Sequence, residues 1–233
     1  MTHLKGPERA VYVRNMFARI AQRYDSMNRL MSAGQDGAWR RAVVRAVQLP
    51  ANGRILDVAT GTGDMMVEAL RQHPDARVVG SDFTFEMMQA GQGKPQTERI
   101  RWCAADALHL PFADATFDAV TSGFGVRNFI DREQAFHEQR RVLKDGGRVV
   151  CLEISKPPRN VLRPFFLLYF NRLVPIVGGI ISGQRDAYTY LPQSVNEFLT
   201  PDELKAVMER AGLREVRYQR LMMGTVAIHV AHK

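Results

Sequence analysis

The clearest chemical signal in the sequence is Leu56-Asp57-Val58-Ala59-Thr60-Gly61-Thr62-Gly63-Asp64. Gly61 and Gly63 carry no Cβ, so the backbone there can turn tightly and come close to a bound molecule. Glycines also make ordinary turns, and a glycine loop alone is weak support for a ligand. Asp82 strengthens it, because it follows Gly63 by 19 residues, near the offset of about 20 at which an acid meets ribose hydroxyls. Its carboxylate can accept two hydroxyl hydrogen bonds. The competing reading makes Asp82 a cap for a helix over Thr84–Ala90. A dinucleotide fingerprint needs a third glycine at residue 66; Met66 stands there, so the helix start is not opened for a pyrophosphate and NAD is disfavoured.

Further along, Asp106-Ala107-Leu108-His109-Leu110-Pro111-Phe112 offers a carboxylate that can accept from an adenine amino group, beside apolar residues that can cover the ring. An adenine nucleoside without a pyrophosphate fits both stretches, and S-adenosylmethionine is such a molecule. The residues expected to touch it are Asp57, Ala59, Gly61, Thr62 and Gly63 on the first loop, Asp82 and Phe83 on the second, Asp106 and Ala107 on the third, and Gly123 on the fourth. No His, Cys, Asp or Glu set has metal-ligand spacing, so no metal is expected. Cys103 and Cys151 are too few and too far apart for a disulfide framework or a CxxC site.

These loops need a scaffold, and the hydrophobic pattern supplies one. From Arg9 to Val47 apolar residues recur at helical spacing (Val13, Phe17, Ile20, Tyr24, Met27), with arginines between them, which predicts two or three helices. After Pro50-Ala51-Asn52-Gly53 short β-rich runs alternate with helical ones, the pattern of a parallel sheet with crossover helices. Strands are predicted over Arg54–Val58, Arg77–Ser81, Ile100–Ala104, Phe117–Ser122 and Arg148–Ile154, and helices over Asp64–Gln72, Phe85–Ala90 and Asp131–Leu143. The stretch from Lys156 to Asn196 breaks this rhythm. Thr200-Pro201-Asp202-Glu203 then starts a helix that runs to Ala211, with Gly212 as its stop. The runs Leu213–Leu221 and Thr225–His232 are separated by only three residues, which forces antiparallel pairing. The whole is an α/β, Rossmann-like, mostly parallel sheet of seven strands with an antiparallel last strand, the class I methyltransferase fold, with N-terminal helices and a helical insertion before the last two strands.

At 233 residues with no Pro/Gly/Ser-rich linker, the chain reads as one domain. Within it, 1–50 is a helical cover, 54–155 the cofactor-binding core, 156–196 an insertion over the substrate and 200–233 the closing helix and hairpin. The N-terminus lacks a secretory pattern and the cysteines are sparse, which points to a cytoplasmic protein. Its formal charge of +8 is uneven: residues 1–54 hold ten Lys and Arg against Glu8, Asp25 and Asp36, and residues 155–185 add five basic residues and no acid. Such a surface suits an anionic membrane, nucleic acid or an acidic partner, or is a plain solvated face. The apolar run at Phe165–Phe170 is interrupted by Asn171-Arg172, so it is not expected to cross a bilayer.

Several stretches together resemble the ubiquinone/menaquinone biosynthesis C-methyltransferase family (UbiE type). They are Tyr24-Asp25-Ser26-Met27-Asn28-Arg29-Leu30-Met31-Ser32 with Trp39 beyond, Gly123-Phe124-Gly125-Val126-Arg127-Asn128-Phe129, Arg141-Val142-Leu143-Lys144-Asp145-Gly146-Gly147-Arg148, Leu152-Glu153-Ile154-Ser155-Lys156-Pro157, the run from Tyr188 to Ser194 and the closing Gly224–His229. Three positions depart from the family pattern: Asp36 replaces a usual His, Asp145 a usual Pro and Gly123 a frequent Ser. Asp36 also reads as a helix N-cap before Trp39-Arg40-Arg41.

The resemblance implies transfer of a methyl group from S-adenosylmethionine to a ring carbon of a prenylated quinol, most directly demethylmenaquinol. It places Arg127 and Asn128 beside the methyl, with Tyr24 reaching in from the N-terminal helices. An arginine is a poor base, so Arg127 is expected to hold a developing phenolate while a water set by Tyr24 or Asn128 takes the proton. The plainer alternatives are a salt bridge from Arg127 to Asp131 and a packed helix residue at Tyr24. Tyr188 and Tyr190 are expected at the substrate, and the Lys156–Tyr190 insertion over its prenyl tail, where it can also meet anionic headgroups at the inner face of the membrane; Phe165–Phe170 equally reads as a core helix. A homodimer is compatible with the sequence. Rival functions are another small phenol or lipid as acceptor, an RNA-binding or RNA-methylating protein suggested by the charge, and a non-catalytic scaffold. No RNA-binding module pattern is present, so no nucleic-acid partner is expected.

Overall fold

Successive side chains of a strand point to opposite faces, and in the central strands both faces are apolar. In β1 (Arg54–Val58) Ile55 belongs to one buried cluster and Leu56 and Val58 to another. In β5 (Leu143–Ile154) Val150 and Leu152 join the first, Val149 and Cys151 the second. A sheet buried on both faces needs helices on both. Trp39, Val43, Val44 and Val47 of α3 (Asp36–Val47) and Met66, Ala69 and Leu70 of α4 (Asp64–Gln72) cover one; Phe136 and Val142 of α6 (Arg132–Val142) and Leu204 and Met208 of α8 (Pro201–Arg210) cover the other. This computed structural model describes residues 6–155, 168, 169, 172 and 185–233, without the side chains of 185–188.

The remaining elements are α1 (Gly6–Ile20), α2 (Tyr24–Met31), β2 (Arg77–Asp82), α5 (Phe85–Gln92), β3 (Arg101–Ala104), β4 (Phe117–Gly123), α7 (Arg185–Asn196), β6 (Arg214–Leu221) and β7 (Val226–His232). The seven strands form one sheet in the order β3-β2-β1-β4-β5-β7-β6. The first five are parallel, and β7 lies antiparallel between β5 and β6. Strand order reverses between β1 and β4, and open α/β sheets bind ligands at the carboxyl ends flanking such a point.

Most predicted elements stand within two residues of their expected limits. The exception is β5, which begins at Leu143 rather than Arg148 because Leu143 already pairs with Phe117; the ladder then shifts before Arg148 pairs with Ala119, across Gly146 at a φ of 76°. Thr200 forms a full capping box with Glu203, and Asp131 caps α6 by accepting from the Gln134 N–H at 2.9 Å. Of the insertion expected over 156–196, residues 156–184, Phe165–Phe170 included, lie outside the described residues except at Leu168, Tyr169 and Arg172, and 185–196 form α7. Among the described residues no helix is long and apolar enough to cross a membrane.

Candidate active site

The N-terminal helices split their apolar stripe between two tasks. Val13, Met16, Ile20 and Met27 are buried together with Tyr190 of α7, while Phe17 and Tyr24 pack beside them only in part. Phe17 and Tyr24 meet edge to face, 5.9 Å between ring centres, and border two adjoining cavities over the carboxyl ends of the strands. Phe124, which follows β4 at a φ of 59°, borders both as well.

The first cavity, about 880 Å³, lies over β1 to β4. Its wall includes Ala59, Gly61, Asp82, Phe83, Asp106, Ala107 and Gly123, which brings together seven of the ten residues expected at the cofactor. The Asp82 carboxylate accepts from the Gly61 and Thr84 N–H groups, each at 2.7 Å. Those two bonds tie the first loop to the start of α5, yet the capping residue of α5 is Thr84 rather than Asp82. Burial raises the Asp82 pKa above the ordinary value, opposed by these N–H donors. Each carboxylate oxygen keeps further acceptor capacity for a ligand hydroxyl. Opposite, Met87 and Leu108 supply apolar wall, and Arg14 lies over the half-exposed Phe83 ring at 6.0 Å.

The other three expected residues do not border this cavity. Asp57 is buried at the end of β1, where it accepts from Thr121 Oγ1 at 2.7 Å; burial drives its pKa up to about 7. Thr62 turns away and donates to Asp25 Oδ1 at 2.5 Å. A Cβ on Gly63 would lie 2.5 Å from the Trp102 ring, whereas one on Gly61 would meet the flexible end of Met87 at 3.2 Å and Tyr24 at 4.0 Å. Gly63 thus makes room for a core ring and Gly61 for the cavity.

The second cavity, about 1060 Å³, lies between α1, α2, α3 and α7 and is walled mainly by apolar side chains such as Met16, Ile20, Met31, Trp39 and Ile154. Arg127 enters it from the turn after β4. Only 5% exposed, Arg127 forms an ion pair with Glu153 at 3.3 Å, donates to the Phe124 carbonyl and also donates its backbone N–H to Glu153. The Asp131 salt bridge considered from the sequence does not form, because Asp131 is engaged as the cap of α6. Glu153 is itself fully buried, and desolvation raises its pKa against the pull of Arg127. Among the described residues the Nε of Arg127 has no hydrogen-bond partner. Tyr24 has its phenol pKa raised by burial, partly offset by Arg127 and by a hydrogen bond with Asn28. Asn128 sits on the first cavity, while Tyr190, on the second, donates to its Oδ1 at 3.0 Å. Tyr188 lies on α7, but its side chain is outside the described residues.

Asp36 corrects one expectation. It is the first residue of α3, not its N-cap; Gln35 precedes it and no side chain caps the helix. Its carboxylate, buried at the second cavity, accepts from Arg40 Nη1 at 2.6 Å and from Ser32 Oγ at 3.1 Å. Arg40 also pairs with Asp64 at 3.2 Å; Asp64 pairs with Lys94 at 2.6 Å and Lys94 with Asp25. A chain of charges therefore runs from Asp36 to Thr62. No residue of it except Asp36 and Thr62 was singled out from sequence, nor was Glu153; the pair of Asp36 with Arg40 has the i,i+4 spacing of one helix face and was legible there, whereas the pairs between distant segments leave no local pattern. No metal-holding group of three or more His, Cys, Asp or Glu occurs among the described residues.

A polar cleft at the strand ends, set against an apolar chamber across one aromatic wall, can hold a nucleoside and a greasy ring side by side. The chain is 46% identical over 226 residues to the demethylmenaquinone methyltransferase of Roseiflexus castenholzii, spanning 97% of this chain and 95% of that protein. It is 43% identical over 231 residues to the ubiquinone/menaquinone biosynthesis C-methyltransferase UbiE of Geobacter sulfurreducens, spanning 97% and 90%. In fold it is similar to a methyltransferase crystal structure from Thermotoga maritima, with a TM-score of 0.67 at 17% identity over 94% of this chain and 98% of that one. The model of the ubiE/COQ5 methyltransferase family matches residues 2–233, and the chain belongs to that family.

Proposed function

We propose that the protein transfers the methyl group of S-adenosylmethionine to a ring carbon of a prenylated quinol in menaquinone or ubiquinone biosynthesis, with demethylmenaquinol as the leading acceptor. The observation that carries this is the pair of cavities sharing Phe17, Tyr24 and Phe124. The first fits the cofactor: Asp82 offers carboxylate oxygens to ribose hydroxyls, Gly61 leaves its backbone open, and Phe83, Ala107 and Leu108 can cover an adenine beside Asp106. When bound, S-adenosylmethionine supplies an electrophilic methyl for in-line displacement.

The chain's own part is to align, to exclude water and to manage one proton. The apolar chamber receives the ring and the start of the prenyl tail, with Tyr190 at its side. Arg127, held by Glu153, stabilises the phenolate that makes the neighbouring carbon nucleophilic. Tyr24, whose phenol stays protonated, and Asn128, whose Oδ1 is taken by Tyr190, hold the water that accepts the proton. The basic stretch over residues 1–54 supports a peripheral seat on the inner face of an anionic membrane, where such a substrate resides.

Incubation with S-adenosylmethionine and reduced demethylmenaquinone, and in parallel with its benzoquinol counterpart, followed by mass analysis, tests the activity; a product heavier by one methyl group is expected. A folded protein with no calorimetric affinity for S-adenosylmethionine or S-adenosylhomocysteine would overturn it. Membrane seating predicts co-sedimentation with anionic vesicles at low salt and release at high salt.

A further inference from the structure

A para-quinol presents two oxygens. In the proposed reaction, on which this inference rests, one becomes the phenolate beside Arg127 and the other remains an O–H that needs an acceptor. Three hydroxyls at the apolar chamber donate within the protein, Tyr190 to Asn128, Tyr169 to the Met31 carbonyl at 3.1 Å and Thr225 to the Met222 carbonyl at 2.8 Å, and keep only uncharged lone pairs, which accept more weakly than a carboxylate. Among the described residues that border the chamber, Asp36 is the one carboxylate.

Its surroundings prepare it to accept. Arg40, Ser32 and the Gly37 N–H occupy three positions on the carboxylate, and the exposed Arg29 guanidinium lies beyond hydrogen-bond reach at 3.9 Å from Oδ1. A carboxylate offers about four lone-pair sites, so one remains, on a side chain only 6% exposed. Burial alone would favour the protonated acid, but the Arg40 charge and the three donors hold Asp36 below the ordinary carboxylate range, and it stays acceptor-only.

We propose that Asp36 is the residue that selects the reduced ring: it accepts the second quinol hydroxyl and turns away the quinone. At that position a quinone has a carbonyl oxygen, and two acceptors facing each other in an apolar chamber have no proton to share. Discrimination matters because only the quinol can become nucleophilic, so a quinone in the chamber would be a dead end. A site with a polar group aimed at one hydroxyl discriminates strongly against a ligand lacking it.

The test uses 2,3-dimethyl-1,4-naphthoquinone and its quinol, which resemble a product ring and cannot be methylated at either carbon. Binding of each is measured anaerobically by calorimetry on the full chain saturated with S-adenosylhomocysteine. The wild type is expected to bind the quinol at least about tenfold more tightly, as one charge-assisted hydrogen bond implies. Asp36→Asn, whose amide can donate to a carbonyl, is expected to bring the two within about threefold, chiefly by tighter quinone binding, with S-adenosylhomocysteine affinity kept within about twofold. Asp36→Ser, which can donate or accept, carries the same expectation if the amide variant does not fold. A wild-type ratio near one, or a folded variant that keeps the tenfold ratio, overturns the role of Asp36. Turnover of demethylmenaquinol is assayed alongside. Normal turnover with a flat ratio overturns this inference alone, whereas absence of both turnover and nucleoside binding overturns the reading beneath it.

Discussion

Arg127 is a charge kept in an apolar chamber by a single carboxylate, and the two residues must be judged together. Removing one partner of a buried pair leaves an uncompensated charge and costs about 3–5 kcal/mol, while apolar replacement of both is often tolerated. Glu153→Leu is therefore expected to lower the Tm sharply. The double variant Arg127→Met/Glu153→Leu should recover most of that loss yet show no turnover, which thermal unfolding and a methyl-transfer assay would check; a double variant as unstable as the single one would contradict the pairing. Asp57 poses the opposite case, a buried acid that accepts from the Thr121 hydroxyl and pairs with no cation among the described residues. Unfolded, it releases its proton near 3.8; folded, at about 7. Between those values the native protein holds the extra proton, so its stability falls as pH rises and the loss is complete above the folded value, on the order of 4 kcal/mol. Asp57→Asn lacks this dependence, and denaturant unfolding from pH 4 to 8 should show its stability gaining steadily on the wild type. A constant difference across that range would mean Asp57 is ionised throughout.

Among the elements, the β1-to-α4 loop shows how two identical residues acquire different work. Both glycines have left-handed φ values, 58° at Gly61 and 81° at Gly63, so each alanine variant is strained by its backbone alone. Only Gly63 faces a rigid ring, whereas Gly61 faces the cavity. Gly63→Ala should therefore cost the larger share of stability, and Gly61→Ala the larger share of S-adenosylhomocysteine affinity, about tenfold or more by calorimetry. Equal losses of affinity would show that both glycines serve the ligand. Spacing in the sequence could not separate them, because Trp102 sits on β3, 39 positions further along. Asp36 was misread as a cap because an Asp at the start of a helical run looks the same whether it caps the helix or forms its first residue; the turn from α2 sets the start one position earlier, with Gln35 before it and Ser32 donating to the Asp36 carboxylate.

Across the whole molecule, the N-terminal helices are joined to the sheet at its functional edge. Their aromatic residues form the shared wall, and the ion pairs from Asp36 through Arg40, Asp64 and Lys94 to Asp25 reach Thr62 on the first loop. A ligand that orders one cavity thereby orders part of the other, and coupling between two sites is reciprocal. S-adenosylhomocysteine should raise the affinity for the dimethyl naphthoquinol at least about fivefold, and the quinol should raise that for the nucleoside by the same factor. Lys94→Met, which removes the central cation, should bring both factors to within about twofold of one. Independent binding in the wild type would show that the wall and the ion pairs are only structural.

The strand-helix rhythm, the glycine loop, Asp82 at its offset and the antiparallel close were all legible in the sequence. Each depends on short-range periodicity or on backbone chemistry that a few adjacent residues impose. Which expected residues face a cavity, and which merely support one, was not. Asp57, Thr62 and Gly63 lie behind the loop, Glu153 holds Arg127 from the next strand, and Phe17 and Phe124 close a wall from opposite ends of the fold. Those assignments depend on contacts between segments far apart in the chain, and the sheet and the N-terminal helices had to pack together before any of them existed.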